Sequence, residues 1–352
     1  MTKRIEYIDA LRGFTMILVV AVHVYSLCFM QGNAKEYDLS INNLFGLFRM
    51  PLFFFISGFV FFKIGRNWNL GLVTNFITSK IRVQLLSTSI FLILYCIVFQ
   101  KNITHALYDT AKEGYWFTIS LFMYFILYIG IDWFICTILR KPAFNNFTIT
   151  TSITIGLGLY YLTNNGYLLN LFSPQTTGLL SINKVQYFIF FSLGCFTHKY
   201  YNYFLKPKRS DYFGVLIVAF TCISFCFFIQ NNIGHIFIKN YILKLFAAVL
   251  GITIVMITFK TNEIYFLRST KIGFYLQIIG KHTLDIYFLH YLFLPYNLSS
   301  IGRWFKNNPN PLFEFFASFA LAIIVVVTCL IVSRILRQSS VLSYLLFGGK
   351  KD

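Results

Sequence analysis

The sequence predicts an all-α fold, a polytopic membrane helix bundle of about ten transmembrane helices, and three observations carry that expectation. The first is composition. Of 352 residues, 57% are hydrophobic and only 12% charged, where a soluble domain averages roughly 25% charged. Mean hydropathy is +0.67, so there is too little polar surface to cover a water-soluble globule. The second is recurrence: apolar runs lie near 11–30, 44–62, 84–99, 115–138, 147–163, 185–200, 212–230, 240–259, 283–298 and 312–334. Several fall short of the roughly 20 residues that a straight span needs, least convincingly 147–163 and 283–298. The third is charge placement. The formal net charge is +18, which in a soluble chain would suggest nucleic acid, but here the basic residues lie in short segments between apolar runs. With the N-terminus inside, ten spans put 21 of the 30 basic residues in cytoplasmic segments and 8 outside. That asymmetry is the positive-inside pattern, and it predicts that both termini are cytoplasmic.

The expected organisation is one integral membrane domain, residues 1–340, followed by a short cytoplasmic tail, 341–352. The basic start "MTKRIEYIDALRG" lacks a convincing small-residue cleavage site, so it reads as a retained first span rather than a signal peptide. The seven cysteines all fall in apolar runs and form no CxxC pair. They read as small buried hydrophobes.

Taking the spans in order, the first raises a question of its own. "ALRGFTMILVVAVHVYSL" is apolar enough to cross a bilayer, yet it carries Arg12 at one end and His23 in its interior. Eleven residues at 100° each give three turns plus about 20°, and a rise of about 16 Å. The two side chains therefore share one helix face. Arginine at the interface suits a phosphate, which it can hold by two parallel hydrogen bonds. An interior imidazole suits proton transfer near neutral pH. A donor with a phosphorylated head and a long thin arm, such as coenzyme A, could bridge them. The plain alternative is a snorkelling arginine and a buried, hydrogen-bonded histidine. Asp9, three positions before Arg12, could orient the guanidinium or form an ordinary ion pair.

The second span, "NLFGLFRMPLFFFISGFVFFK", carries Arg49 within the hydrocarbon region, at about the level of His23. An intramembrane arginine faces the bundle interior and marks a site or pathway. It could hold the acceptor, stabilise an oxyanion, or staple carbonyls freed by Pro51. Ser57-Gly58 permits close helix approach. After this span, "FITSKIRVQLL" sets Lys80 and Arg82 at the inner surface, as phosphate ligands or as topology determinants. Trp116, in "EGYWFTISLF", reads as an aromatic-belt residue of the fourth span.

Together, "YIDALRGFTMILVVAVHVY" with its Arg-x10-His spacing, "RMPLFFFISGF", "YWF" and the late "GKHTLDIYFLHY" resemble the membrane acyltransferase type 3 family, over nearly the whole chain. The resemblance implies cytoplasmic acyl-coenzyme A as donor, acetyl-CoA in the usual case, with His23 as the catalytic base and Arg12 as a donor-binding residue. It marks Lys80 and Arg82 as further donor-binding candidates, and Trp116 and His290 as matching positions on the substrate side. Asp285 is five residues from His290, about 140° around a helix, so the two cannot form a same-face dyad; for His290 chemistry and a structural hydrogen bond both stay open. The sequence departs from the family pattern in having "QLLST" after the basic segment, Arg49 before Met-Pro, and "WFT".

The expected function is therefore a membrane O-acyltransferase that moves an acyl group from acyl-CoA to a hydroxyl of a surface or cell-envelope carbohydrate. Direct transfer is favoured over an acyl-histidine relay. No metal is implied. Expected partners are the carbohydrate acceptor, acyl-CoA and the lipid bilayer, with a homo-oligomer or a polysaccharide synthesis complex open and no nucleic acid. The expected location is the cell (inner) membrane, as a multi-pass protein. The rival readings are a polysaccharide or lipid-linked sugar transporter, with His23, Arg49 and Asp132 lining its path, and a non-catalytic subunit of a synthesis complex.

Overall fold

A computed structural model describes residues 5–31, 40–66, 68–139, 145–204, 210–233 and 239–349. Among the described residues every regular element is helical. The first half of the chain carries α1 (Glu6–His23), α2 (Ile41–Gly46), α3 (Arg49–Phe61), α4 (Leu70–Lys80), α5 (Ser87–Val98), α6 (Ile103–Tyr108), α7 (Trp116–Leu139) and α8 (Asn145–Asn164). Then come α9 (Pro174–Leu180), α10 (Phe188–Lys199), α11 (Tyr201–Phe204), α12 (Ser210–Ile233) and α13 (Asn240–Thr261). The chain ends with α14 (Lys271–Lys281), α15 (Thr283–Phe293), α16 (Ser299–Asn307), α17 (Pro311–Leu336) and α18 (Ser340–Phe347). Two of these helices continue directly into π-helical turns, α1 into Val24–Phe29 and α4 into Ile81–Leu86. The inner basic residues Lys3, Arg4, Arg140, Lys141, Lys206, Lys208, Arg209, Lys350 and Lys351, and the outer Lys35, lie outside the described residues.

Among the described residues seven helical stretches are long and apolar enough to cross a membrane, or eight if the bent pair Pro174–Leu180 and Ile182–Lys199 is one span. The protein is thus an all-helical membrane protein. The seven match seven of the ten apolar runs, and the bent pair matches the run at 185–200. The remaining two are the weak ones. Residues 147–163 form most of the 20-residue α8, whose many threonines and asparagines lower its hydropathy. Residues 283–298 contain only the 11-residue α15, which follows α14 after a break at His282.

The chain divides into two compact units, Met1–Phe53 with Asn202–Ser333, and Phe54–Tyr201 with Arg334–Asp352. In the first unit α1 is almost wholly buried and lies against α14 at backbone distance. Gly13 and Gly280 make this possible: a Cβ on Gly13 would stand 2.0 Å from the Leu276 carbonyl oxygen, and one on Gly280 would stand 1.9 Å from that of Asp9. A second apolar cluster joins Leu47, Phe227, Phe228, Leu243 and Ala247.

In the second unit Gly58 plays the part expected of a small residue: its Cβ would meet the Phe191 carbonyl oxygen at 2.0 Å, and Gly194 is pressed against that of Phe55 in the same way. Phe191 then packs among Phe61, Tyr124, Phe125 and Tyr128. The cysteines are free thiols. Cys28, Cys96, Cys195 and Cys329 are buried as expected, but Cys222 and Cys226 face outward on α12. Position in an apolar run does not imply burial in protein, because a span also has a lipid-facing side.

Candidate active site

The first unit builds its polar cluster along one seam, where α1 meets α14 and α15. Arg12 Nη2 donates to Thr283 Oγ1 at 3.2 Å, and Thr283 Oγ1 in turn reaches the Gly280 carbonyl at 3.4 Å. Further along the same seam, His23 Nε2 lies 3.0 Å from the Tyr291 hydroxyl. Arg12 and His23 therefore both face α15, as their eleven-residue spacing predicts, and α1 and α15 run parallel. His23 is the last α-helical residue before the π turn. It keeps partial exposure while its neighbours Val22 and Val24 are buried. π turns recur at functional positions.

His290 stands beside this pair. It is fully buried, its ring centroid 5.3 Å from that of His23 and 4.0 Å from that of Tyr291. Its Nδ1 lies 3.0 Å from the Ile286 carbonyl oxygen, which can only accept, so Nδ1 carries the proton. The neutral ring then presents a bare lone pair at Nε2. That atom is buried and has no hydrogen-bond partner among the described residues. Asp285 is turned elsewhere: it accepts from Ser333 Oγ at 2.6 Å and from His282 Nδ1 at 3.0 Å. The absence of an Asp285–His290 dyad thus follows from the helix geometry anticipated for them.

Arg49 opens α3. Asp9 is buried on α1 one turn before Arg12. The other three candidates belong to the second unit. Lys80 closes α4, with its Nζ 5.4 Å from the Phe76 ring centre and 5.1 Å from that of Phe125. Arg82 lies in the π turn, its guanidinium 5.2 Å from the ring of Tyr344 on α18. Trp116 opens α7 and stacks on Tyr187, centroids 5.8 Å apart at 23°, with the Lys184 ammonium 4.8 Å from its ring. It is a member of an aromatic cluster with Phe54, Phe117 and Tyr187.

A family model described as an acyltransferase domain matches residues 5–332, essentially the whole chain. The protein belongs to the membrane acyltransferase type 3 family. No curated protein and no solved structure matches it.

Two residues of this acyltransferase's polar seam, Thr283 and Tyr291, were not candidates from the sequence. Both lie inside "GKHTLDIYFLHY", and their hydroxyls were the available signal. What the sequence lacked was the knowledge that α15 is the helix that packs on α1.

Proposed function

We propose that the protein is a membrane O-acyltransferase that moves an acyl group, acetyl in the family's usual case, from cytoplasmic acyl-CoA to a hydroxyl of a surface or cell-envelope carbohydrate. The observation that carries this reading is the hydroxyl already standing 3.0 Å from His23 Nε2. That is the distance at which an acceptor hydroxyl must sit to lose its proton to a general base. The imidazole takes that proton as the acceptor oxygen attacks the thioester carbonyl. The tetrahedral intermediate collapses, the carbon–sulfur bond breaks, and the imidazolium returns the proton to the departing thiolate. Arg49 is the candidate to oppose charge on the carbonyl oxygen, and His290 Nε2 the candidate to accept from a substrate O–H or N–H.

Arg12 is the donor-binding residue on the same face, about 16 Å down the helix, a span that a pantetheine arm covers. Lys80 and Arg82 are further candidates for donor phosphates, and Trp116 for the carbohydrate. A ten-span order with both termini cytoplasmic in the inner membrane is the arrangement that the basic residues support. Parallel α1 and α15 are compatible with their places as first and ninth spans.

The test is transfer of labelled acetyl from acetyl-CoA to a panel of envelope glycans by protein reconstituted in liposomes. His23→Ala is expected to lower the rate about 10²–10⁴-fold. Arg12→Ala is expected to raise the donor KM about tenfold or more, the scale of one charged hydrogen bond. Transfer that survives His23→Ala overturns the base assignment, and absence of coenzyme A binding by wild type overturns the donor.

A further inference from the structure

Another candidate site lies in the first unit, where α16 meets the start of α17. There an open bowl of about 460 Å³ is lined by Trp304, Asn307, Asn308, Pro309, Asn310 and Phe313. Its volume falls within the roughly 300–1,000 Å³ of ligand pockets. The helix beneath it is firmly seated. A Cβ on Gly302 would stand 1.8 Å from the Phe29 carbonyl oxygen, so α16 meets the end of the first span at backbone distance. Phe305 is buried, its ring centroid 5.3 Å from that of Phe29 and 6.0 Å from that of Phe313. Glu6–Phe29 is one continuous helical stretch, and Phe29 follows His23 along it. The bowl therefore lies past His23, on the side away from Arg12.

The lining is aromatic and amide, without a charge. Trp304 is 50% exposed and Phe313 53%. Their rings meet at 5.8 Å and 66°, an aromatic corner braced by Phe305. The amides are set both to donate and to accept. Asn310 Oδ1 caps α17 by accepting from the Phe313 N–H at 3.1 Å, which leaves its NH2 group. Asn308 Nδ2 donates to the Trp304 carbonyl at 3.2 Å, which leaves its amide oxygen. Asn307 is exposed, and its side chain has no partner among the described residues. Arg303 and Lys306, the cations of α16, do not line the bowl. At 100° per residue they occupy a separate stripe of the helix from Trp304 and Asn308.

This lining selects among occupants. A phosphate or carboxylate finds no cation in it. A lipid chain covers the two rings but leaves the amides without partners. A neutral sugar uses both kinds of group. Its C–H bonds carry positive hydrogens that suit the negative face of an indole, and its hydroxyls donate and accept, as the amides do. We propose that this bowl binds a neutral sugar ring of the glycan acceptor, stacked on Trp304 and hydrogen-bonded to Asn307, Asn308 and Asn310. The inference rests on the carbohydrate-acceptor reading above and gives the acceptor a docking place in the same unit as His23. Donor and acceptor then approach the imidazole from opposite ends of the first span.

The experiment is calorimetric titration of the full chain in nanodiscs with maltohexaose, cellohexaose and mannohexaose. Wild type is expected to bind at least one of them. Trp304→Ala is expected to weaken that binding about tenfold and Asn307→Ala about threefold to tenfold. Trp304→Phe should keep most of the affinity, and Arg303→Ala all of it. Binding of none of the three overturns the proposal, as does binding that is unchanged in Trp304→Ala and Asn307→Ala. Lipids brominated in their acyl chains test the other occupant. If they quench the share of tryptophan emission that Trp304→Phe removes, the bowl faces the bilayer and the proposal fails. Acetyl transfer separates this site from the reading it rests on. If an oligosaccharide binds as expected but wild type acetylates no glycan, the acyltransfer reading has failed and the sugar site stands. If a glycan is acetylated and its KM is unchanged in Trp304→Ala, the reaction stands and the bowl is overturned.

Discussion

The two units hold their candidate cations in different ways. In the first, Arg12 is tied to the hydroxyl of Thr283 and His23 to that of Tyr291. In the second, Arg66 lies on Trp68, Lys80 over Phe76 and Phe125, Arg82 over Tyr344, and Lys184 over Trp116. A hydrogen bond is directional and fixes one atom to within a few tenths of an ångström. A cation on a ring is attracted to a whole face and keeps its N–H groups for another partner. The first arrangement suits a group that must meet a reacting atom. The second suits charges that wait for a ligand. Under the proposed function, the difference separates a part that would perform chemistry from a part that would recognise.

The largest expected effect breaks the first unit at its tightest contact. Gly13→Ala puts a methyl 2.0 Å from the Leu276 carbonyl oxygen and 3.1 Å from the Gly280 nitrogen, both backbone atoms that no rotamer can move aside. Overpacking of this kind costs about 1–3 kcal/mol or more, and here it pushes α14, and with it α15, away from α1. Folded yield and thermal stability should fall sharply, and acyl transfer should be lost in whatever protein remains. Gly130, on α7, has nothing within 4 Å of its would-be Cβ. Gly130→Ala should leave the melting temperature level or higher, since alanine favours a helix by about 1 kcal/mol. Differential scanning fluorimetry of the two variants reads the contrast, and equal melting temperatures would show that the α1–α14 contact does not hold the seam.

That contact also marks where sequence reading stops. Arg12 and His23 could be placed on one face because residues 6–23 are a regular α-helix, so 100° per residue holds between them. One residue later the π turn begins, and the same arithmetic would fail. The pairing of Gly13 with Gly280 has no local signature, because each is a glycine in an apolar helix until the other is known. Thr283 and Tyr291 were invisible for that reason. Span number was obscured by α8, too polar for its length, and by α15, too short and set off from α14 at His282.

A smaller effect sharpens the distinction between chemistry and recognition. Tyr291→Phe removes the hydroxyl from His23 Nε2 and keeps the ring that packs 4.0 Å from His290. In the resting protein the bond holds the imidazole until the acceptor hydroxyl replaces Tyr291 at Nε2, so kcat should fall by up to about tenfold, the value of one hydrogen bond of about 1.4 kcal/mol, with donor KM unchanged. Arg82→Ala should show the opposite split, with donor KM raised and kcat kept. Initial-rate kinetics over a donor series decide the matter. A KM effect in Tyr291→Phe or a kcat effect in Arg82→Ala would erase the division between the units.

The smallest effect comes from the cation that departs from its unit's habit. Lys112 is fully buried, and its ammonium meets carbonyls rather than rings: Leu107 at 2.6 Å, Gly178 at 2.8 Å and Asp109 at 3.4 Å. It therefore ties the segment after α6 to α9. Burial pulls its pKa down to about 8, against the ordinary 10.5, with the Asp109 charge opposing the shift. The unfolded chain accordingly holds this proton more strongly than the folded one. Below pH 8 both states are charged, and the folded state bears the whole cost of a buried ammonium. Between about pH 8 and 10.5 the folded state sheds the proton first, so stability rises with pH across that window. Lys112→Met keeps the chain length but loses the carbonyl bonds, so its melting temperature should lie below wild type at pH 7.5. It also has nothing to titrate there, so the gap between wild type and variant should widen by pH 9.5. A gap that narrows instead would mean that the charged amine, not the neutral one, is the form the loops prefer.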